Sequence, residues 1–195
     1  MLKNLLNRLQ NVSPLYNAVV RQSRLPVFYS GLGVADTVWG RLDMLYLHVF
    51  VALSGLSDSE PADGRYIDAF FQNMFKRDID NALREMGVGD LSVGRKVKKM
   101  AEDYHGRATA YRSALASDDF SELPPVITRN LLAHIEDAEL ARGYAEALAG
   151  YMRQSMQIVS GLDRATLLSG NIPWPVVTLA EDTSLEVQPL RIPAE

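Results

Sequence analysis

Residues 70–111, FFQNMFKRDIDNALREMGVGDLSVGRKVKKMAEDYHGRATAY, are the stretch that decides the fold of this chain. Apolar side chains recur here every three or four residues, the spacing of one face of an α-helix. Gly87 and Gly89 interrupt the pattern, as glycine does where a helix ends, and Ser92 can cap a second helix. The stretch therefore predicts a helical hairpin with an apolar stripe on each arm. The stripes are Ile67, Phe71, Met74, Phe75, Ile79, Ala82, Leu83 and Met86, then Val93, Val97, Met100, Ala101, Tyr104, Ala108, Tyr111 and Leu115.

Charged residues surround the predicted turn. Four cations, Arg95, Lys96, Lys98 and Lys99, follow it. Near the start of a helix, positive charge opposes the macrodipole at a cost of a few tenths of a kcal/mol per cation. One interpretation is a solvated basic face, and the other is contact with an anionic surface or a partner protein. Before the turn stand Asp78, Asp80, Arg84 and Glu85, which form either another solvated face or part of the same docking surface.

The segment upstream, residues 38–53, is apolar nearly all round after Met44. Such a helix is normally surrounded by others, and Asp36 is the expected N-cap. Arg41, Asp43 and His48 are exceptions within it, and buried charges must be paired. They predict either an internal set of ion pairs and hydrogen bonds that fixes the helix register, or a polar face that lines a groove.

The rest of the chain supplies further helical segments. We expect a helix from Ser13-Pro14 to Pro26, an aromatic and glycine-rich link, and a polar loop at 54–64. A short helix near 126–135, a long one over 138–159 and a turn at 163–168 follow. The prediction is an all-α, single-domain bundle of about six to eight helices. It comprises an amphipathic N-terminal helix at 1–12, a helical domain at 13–168 and an extended or disordered tail at 169–195.

Composition restricts the function. The 195-residue chain has a net charge of −4, which argues against a dedicated nucleic-acid binder. It has no cysteine, so disulfides and thiolate metal sites are excluded. No segment reaches the roughly twenty unbroken apolar residues that a membrane span needs. Methionine suits adaptable apolar contacts, although it is more often plain core. The methionines considered are Met44, Met74, Met86, Met100, Met152 and Met156.

The first residues place apolar and basic side chains in an acid-free amphipathic pattern. Such a pattern is typical of an interfacial helix, of a transit peptide, and of a helix docked on the core. The membrane-contact candidates are Leu2, Lys3, Leu5, Leu6, Arg8 and Leu9.

Few residues indicate catalysis. Glu102-x-x-His105 matches half of a di-iron bundle signature, and a helical metal or redox-cofactor protein using Glu102 and His105 is the alternative function. The full site needs a second Glu-x-x-His, which neither His48 nor His134 supplies. No nucleophile elbow or phosphate-binding glycine loop is present. We expect no enzyme, no cofactor and no resident metal.

Two blocks carry a family resemblance: DTVWGRLDMLYLH at 36–48 and REMGVGDLSVGRKVKKMAEDYHGRATAY at 84–111. In their order and separation they resemble the ubiquinol–cytochrome c chaperone family, over roughly residues 13–165. The resemblance implies an assembly factor for the cytochrome bc complex that binds newly made cytochrome b and is not an enzyme. It makes Trp39, Arg41, His48, Arg107 and Tyr111 candidates for partner binding, beside the charged residues around the turn.

The resemblance also sets expectations about location and further partners. The matched region begins soon after the first residues, which leaves little room for a presequence and favours a bacterial, cytoplasmic protein. We expect peripheral contact with the cytoplasmic face of the inner membrane. The ribosome near its exit tunnel is a possible partner for the basic run, and eukaryotic relatives imply a possible small partner subunit.

Overall fold

The structure is a computed structural model that describes residues 14–57, 60–117 and 120–177. Within these ranges every regular element is helical, which confirms the all-α prediction. We number the helices in chain order: α1 (14–23), α2 (Pro26–Ser30), α3 (Val38–Leu53), α4 (Pro61–Asn73), a π-helix (Met74–Ile79), α5 (Asp80–Glu85), α6 (Asp90–Leu115), α7 (Leu123–Leu131), α8 (Ala138–Ser160) and α9 (Arg164–Leu168). In the described ranges, no helix combines the length and the apolarity that crossing a membrane requires.

Helix α3 is the centre of the bundle, with α6, α7 and α8 packed around it. Its last ten residues are buried except for Leu45, which is half-buried. This burial is expected because the helix is apolar on all sides. The N-cap is Thr37, whose hydroxyl accepts a hydrogen bond from the Gly40 N–H at 3.1 Å. The predicted cap, Asp36, instead forms an ion pair with Arg41.

The predicted hairpin is present. Helix α4, the π-helix and α5 form one continuous arm, and α6 returns as the second arm. Gly87 ends α5 with a φ of 80°, and the Val88 N–H donates to the Leu83 carbonyl at 3.0 Å. This 6→1 bond is the Schellman arrangement, which places glycine at the left-handed position. The N-cap of α6 is Gly89 rather than the predicted Ser92, so the helix begins at Asp90 and its first turn carries an acidic residue.

The C-terminal half closes the bundle. Asp137 caps α8 by accepting the N–H groups of Glu139 and Leu140, both at 3.0 Å. Gly161 ends α8 as predicted. Helix α9 is joined to α4 by an ion pair between Arg164 and Asp63 at 2.5 Å.

Two boundaries differ from the sequence-based expectation. The predicted aromatic link contains α2, which begins at Pro26 because proline fits the first turn of a helix. Beyond α9 the chain forms no regular element over 171–177 but is packed, with Ile172 buried and Trp174 half-buried. The packed region therefore continues past the predicted boundary at 168. The predicted helix at 1–12 and the end of the tail lie outside the described residues.

Candidate functional site

An apolar groove of about 450 Å³ lies between α1, the first half of α3, and the hairpin. We call it the α3 groove. One face along the length of α1 forms one wall, and the π-helix and α5 form the other. Helix α3 forms the floor together with Met100 of α6. The groove is lined by Tyr16, Val20, Ser23, Arg24, Val38, Trp39, Arg41, Leu42, Leu45, Asp78, Ile79, Ala82, Leu83, Met86, Val88, Lys96 and Met100.

The rim of the α3 groove exposes large apolar side chains. Val38 is 54% exposed, Trp39 59% and Met86 57%. They come from different elements, the start of α3 and the end of α5, yet they border the same groove. Scattered exposed apolar residues are normal on a protein surface, but apolar residues gathered along a concave surface indicate a binding site. This arrangement suits an apolar segment of another molecule.

The charged groups of the groove are mostly cationic. Arg41 donates from Nε to Asp36 Oδ1 at 2.6 Å, and its guanidinium lies 5.1 Å from the centre of the Tyr29 ring. Arg24 and Lys96 add two more cations, and Asp78 is the acidic residue in the lining. Asp78 also accepts from Arg77 at 2.9 Å. The groove therefore offers apolar walls with positive charge at the edges.

Four of the sequence-predicted candidates, Trp39, Arg41, Asp78 and Lys96, thus meet in one groove although they come from three elements.

Three other candidates lie on the outer side of α5. Arg84 donates to Asp80 at 2.5 Å and also pairs with Asp90, the first residue of α6. This ion-pair set crosses the hairpin turn and ties its two arms together. Glu85 is exposed beside it. None of these three residues lines the α3 groove in the described part of the chain.

The basic run occupies the second and third turns of α6, because the helix starts earlier than predicted. Lys98 lies 3.8 Å from Glu102 and Lys99 lies 2.8 Å from Asp103, each one turn along. The macrodipole effect fades beyond the first turn, so the predicted opposition to it is largely removed. Arg95 is exposed and has no carboxylate partner among the described residues.

Two candidates are buried and cannot be surface contacts in this conformation. His48 and Tyr111 are both fully buried, because α3 and the C-terminal part of α6 are enclosed by neighbouring helices. The His48 Nδ1–H donates to the Met44 carbonyl at 2.8 Å, and Nε2 accepts from the Tyr151 hydroxyl at 2.8 Å. Burial lowers the pKa of His48 to about 4, so the ring is neutral at physiological pH.

The ring of His48 joins several elements. Phe28, Tyr151 and Trp174 place their rings 5.2, 5.6 and 5.3 Å from it. Gln22 of α1 donates to the Tyr151 hydroxyl at 3.0 Å. His48 therefore belongs to an internal set of hydrogen bonds that fixes the helix register, which is the first interpretation of the polar residues in α3. Arg41 instead lies in the groove, as the second interpretation predicts.

Arg107, another candidate, is engaged inside the fold. Its Nη2 lies 2.7 Å from Asp43 Oδ1, and its guanidinium lies 5.6 Å from the centre of the Tyr46 ring. Burial raises the pKa of Asp43 to about 6, although the Arg107 charge acts in the opposite direction. This pair joins α6 to α3 and fixes their register.

The alternative metal site finds little support. Glu102 is exposed and pairs with Lys98, whereas His105 lies in the wall of a separate cleft of about 540 Å³ between α3, α4, α6 and α8. The residues that the structure describes contain no group of three or more histidine, aspartate or glutamate side chains suited to a metal ion.

Sequence reasoning missed the wall that α1 contributes, namely Tyr16, Val20 and Arg24. The sequence does contain a signal for this wall: Tyr16 and Val20 form a second apolar face on α1, beside the face that Leu15 and Val19 turn to the core. Of the methionines, Met86 and Met100 line the groove, whereas Met44, Met74 and Met152 are core. The membrane-contact candidates, Leu2, Lys3, Leu5, Leu6, Arg8 and Leu9, lie outside the described residues.

Comparisons with known proteins identify the family. A family model described as ubiquinol-cytochrome C chaperone matches residues 30–174. A crystal structure of the Cbp3 homolog from Brucella abortus is similar, with a TM-score of 0.73 and 31% sequence identity. That match covers 91% of this chain and 98% of the other. A search of curated proteins found no match. The chain belongs to the ubiquinol–cytochrome c chaperone family.

Proposed function

We propose that this protein is an assembly chaperone for the cytochrome bc complex that holds an apolar segment of newly made cytochrome b in the α3 groove. The observation that carries the proposal is the apolar rim of Val38, Trp39 and Met86. All three of these residues lie in the blocks that resemble the family. Family membership points to an assembly factor and not to an enzyme.

The groove has the chemistry that a holding chaperone needs. A membrane-protein segment that has not yet packed exposes apolar surface, and covering it removes that surface from water. Trp39 offers a large flat contact area, and Met86 is unbranched and adapts to different shapes. Binding of this kind is favourable without requiring one sequence, so the segment can be released when its own helices pack.

The charges at the groove edge restrict the client further. Arg24, Arg41 and Lys96 favour a segment that carries acidic or polar groups beside its apolar stretch. Asp78 disfavours an additional acidic group close to the π-helix. Charge therefore fixes the orientation of the client more than its affinity.

The outer surface of the hairpin is left for other contacts. Asp80, Arg84, Glu85, Arg95, Lys98 and Lys99 are accessible outside the α3 groove. A small partner subunit or the ribosome near its exit tunnel can bind there while the groove holds the client. We place this activity at the cytoplasmic face of the inner membrane, where the client is inserted.

Site-specific crosslinking in cells tests the proposal. A photoreactive residue at position 39 or 86 should capture cytochrome b, because both side chains border the α3 groove. The same residue at position 176, where Val176 is 83% exposed but lies outside the groove, is the matched control. Capture of cytochrome b at none of these positions, or equally at all three, would contradict a groove-held client.

Complementation adds a functional measurement. Trp39→Asp should leave the fold intact, since the side chain is mostly exposed, yet lower the amount of assembled cytochrome bc complex in a deletion strain several-fold. Val176→Asp should restore assembly fully. Normal assembly with Trp39→Asp would show that the groove is not needed.

A further inference from the structure

We propose that the turn of the hairpin is a membrane-docking element that inserts Leu91 into the interface of a bilayer containing anionic phospholipid, while Met86 stays at the rim of the α3 groove. We call residues 86–91 the hairpin tip. The tip joins α5 to α6 and is held in shape by the Gly87 turn and by the Arg84–Asp90 ion pair. The docking is independent of whether the α3 groove binds cytochrome b.

The first observation is exposure. Leu91, at the second position of α6, is 95% exposed, and Met86 at the other end of the tip is 57% exposed. Val88 between them is half-buried and packs against the core. Leu91 therefore contributes almost nothing to the fold. Single exposed apolar residues are common, so the charges beside Leu91 must decide what it contacts.

The second observation is the position of the cations. Arg95 and Lys98 follow Leu91 by four and seven residues, so all three share one face of α6. At a rise of about 1.5 Å per residue, Arg95 lies about 6 Å behind Leu91 and Lys98 about 10 Å behind it. The headgroup layer of a bilayer is roughly 5–7 Å thick on each side. With the α6 axis along the bilayer normal and Leu91 at the acyl boundary, Arg95 is level with the phosphates.

The charge pattern favours an anionic surface. Arg95 and the neighbouring Lys96 have no carboxylate partner in the part of the chain that the structure describes, whereas Lys98 and Lys99 are paired with Glu102 and Asp103. The tip carries one carboxylate, Asp90, which is exposed but is paired with Arg84. Exposed apolar residues followed by free cations are the pattern of interfacial membrane binding. A nucleic-acid backbone would use the cations but gain nothing from Leu91.

Docking through the tip has a consequence for the groove. Three residues in or next to the hairpin tip also line the α3 groove, namely Met86, Val88 and Lys96. A tip held in the interface therefore keeps one end of the groove at the bilayer surface, where a membrane-protein client is found. This consequence, unlike the docking itself, rests on the proposed function.

A fluorescence experiment tests insertion directly. The chain has no cysteine, so Leu91→Cys and Val176→Cys each give a single labelling site in the full-length protein. Both positions are highly exposed, and Val176 is far along the chain from the tip. An environment-sensitive fluorophore at position 91 should shift to the blue with vesicles of phosphatidylglycerol and phosphatidylethanolamine. The same fluorophore at position 176 should not shift.

Binding measurements separate the two contributions. Leu91→Asp should weaken binding to these vesicles at least tenfold, because it removes an inserted leucine and adds a negative charge. Arg95→Gln should weaken it about fivefold, the effect of one cation near an anionic surface. Val176→Asp should bind as the wild type does. Unchanged melting temperatures show that the variants are folded.

Three results would overturn the proposal. The first is a fluorophore at position 91 that stays in water while the protein binds vesicles, which would assign binding to another segment. The second is equal affinity for zwitterionic phosphatidylcholine vesicles, or no vesicle binding at all. The third is RNA binding that depends on Arg95 but not on Leu91, which would make the surface a nucleic-acid contact.

Discussion

A single backbone contact explains why residue 40 is glycine. A Cβ built on Gly40 would lie 2.0 Å from the Ala35 carbonyl oxygen, so a side chain there must push the start of α3 away from the preceding turn. Because the start of α3 lines the α3 groove, the position of this turn also sets the direction of Trp39.

Gly40→Ala should therefore destabilise the protein by roughly 1–3 kcal/mol, the cost of inserting a methyl group into a packed site. Gly94→Ala is the matched control, since a Cβ at Gly94 in α6 meets nothing within 4 Å. That change should be neutral or stabilise by up to about 1 kcal/mol through helix propensity. The measurement is denaturant unfolding of both variants, and equal effects would contradict the steric explanation.

The protonation of His48 predicts how stability depends on pH. The unfolded chain protonates this ring near its ordinary pKa of 6.5, but the folded protein does so only near 4. The contribution of the neutral His48 ring to the free energy of unfolding is therefore fully present above about pH 6.5. It is lost progressively as the pH falls to about 4. The loss is about 3 kcal/mol, taken from the pKa difference. Asp43 opposes it, because a raised carboxyl pKa favours the folded state on acidification between about 6 and 4.

Comparison with His48→Gln isolates the effect of the histidine from that of Asp43. The wild type should lose its stability advantage over this variant between pH 6.5 and 4. In NMR spectra the His48 ring should keep the chemical shifts of the neutral form at pH 5. Parallel stability curves for the two proteins, or a protonated ring at that pH, would show that His48 is not buried in solution.

Among the elements, α6 shows how a shifted boundary changes an energetic argument. Lys98→Glu with Lys99→Glu replaces two attractive pairs one turn apart with repulsion from Glu102 and Asp103. With Ser92 as the N-cap, the macrodipole predicts that this double variant is slightly more stable than the wild type. Because the helix begins at Asp90, we instead expect a small decrease in the melting temperature of the variant. An increase in melting temperature would show that the macrodipole still dominates at these positions.

The same double variant also tests function. If the lysines contact a partner, it should fail to restore the cytochrome bc complex in a deletion strain, because attraction becomes repulsion. Full restoration with a nearly normal melting temperature would identify these lysines as a solvated face.

Periodicity predicted the elements well, because helices with one apolar stripe leave a clear pattern. Helix α3 has the predicted bounds, and the stripe of α6 is buried at Met100, Tyr104 and Ala108. The π-helix left no such signal. Its i→i+5 geometry rotates the following residues relative to a regular helix, so Ala82 and Met86 of the predicted stripe are exposed at the groove.

The candidate site was only partly predictable for a related reason. Trp39 and Arg41 lie in the blocks with the family resemblance, but their meeting with α1 depends on tertiary packing that periodicity does not reveal. His48 was a candidate for partner binding because it lies in a block with the family resemblance, while an internal hydrogen-bond set was the other interpretation. The hydroxyl of Tyr151, 103 residues away, satisfies it inside the core.

At the scale of the whole molecule, the irregular segment after α9 completes the core. Ile172 is 7% exposed, and the Trp174 ring lies 5.3 Å from the His48 ring. This segment, residues 171–177, which we call the strap, therefore covers the hydrogen bond between His48 of α3 and Tyr151 of α8. The family model also extends to residue 174. The folded unit therefore includes residues that look irregular in sequence, because proline and short length hide their packing.

Two truncations test this boundary. A chain ending at Val177 keeps the strap, whereas a chain ending at Gly170 removes both Ile172 and Trp174. The shorter chain should lose roughly 3–5 kcal/mol of stability, the cost of removing a large buried side chain, and its His48 ring should become accessible to water. The chain that ends at Val177 should unfold at nearly the same denaturant concentration as the full-length protein. If both chains unfold together at that concentration, the strap is not part of the core and the domain ends at α9.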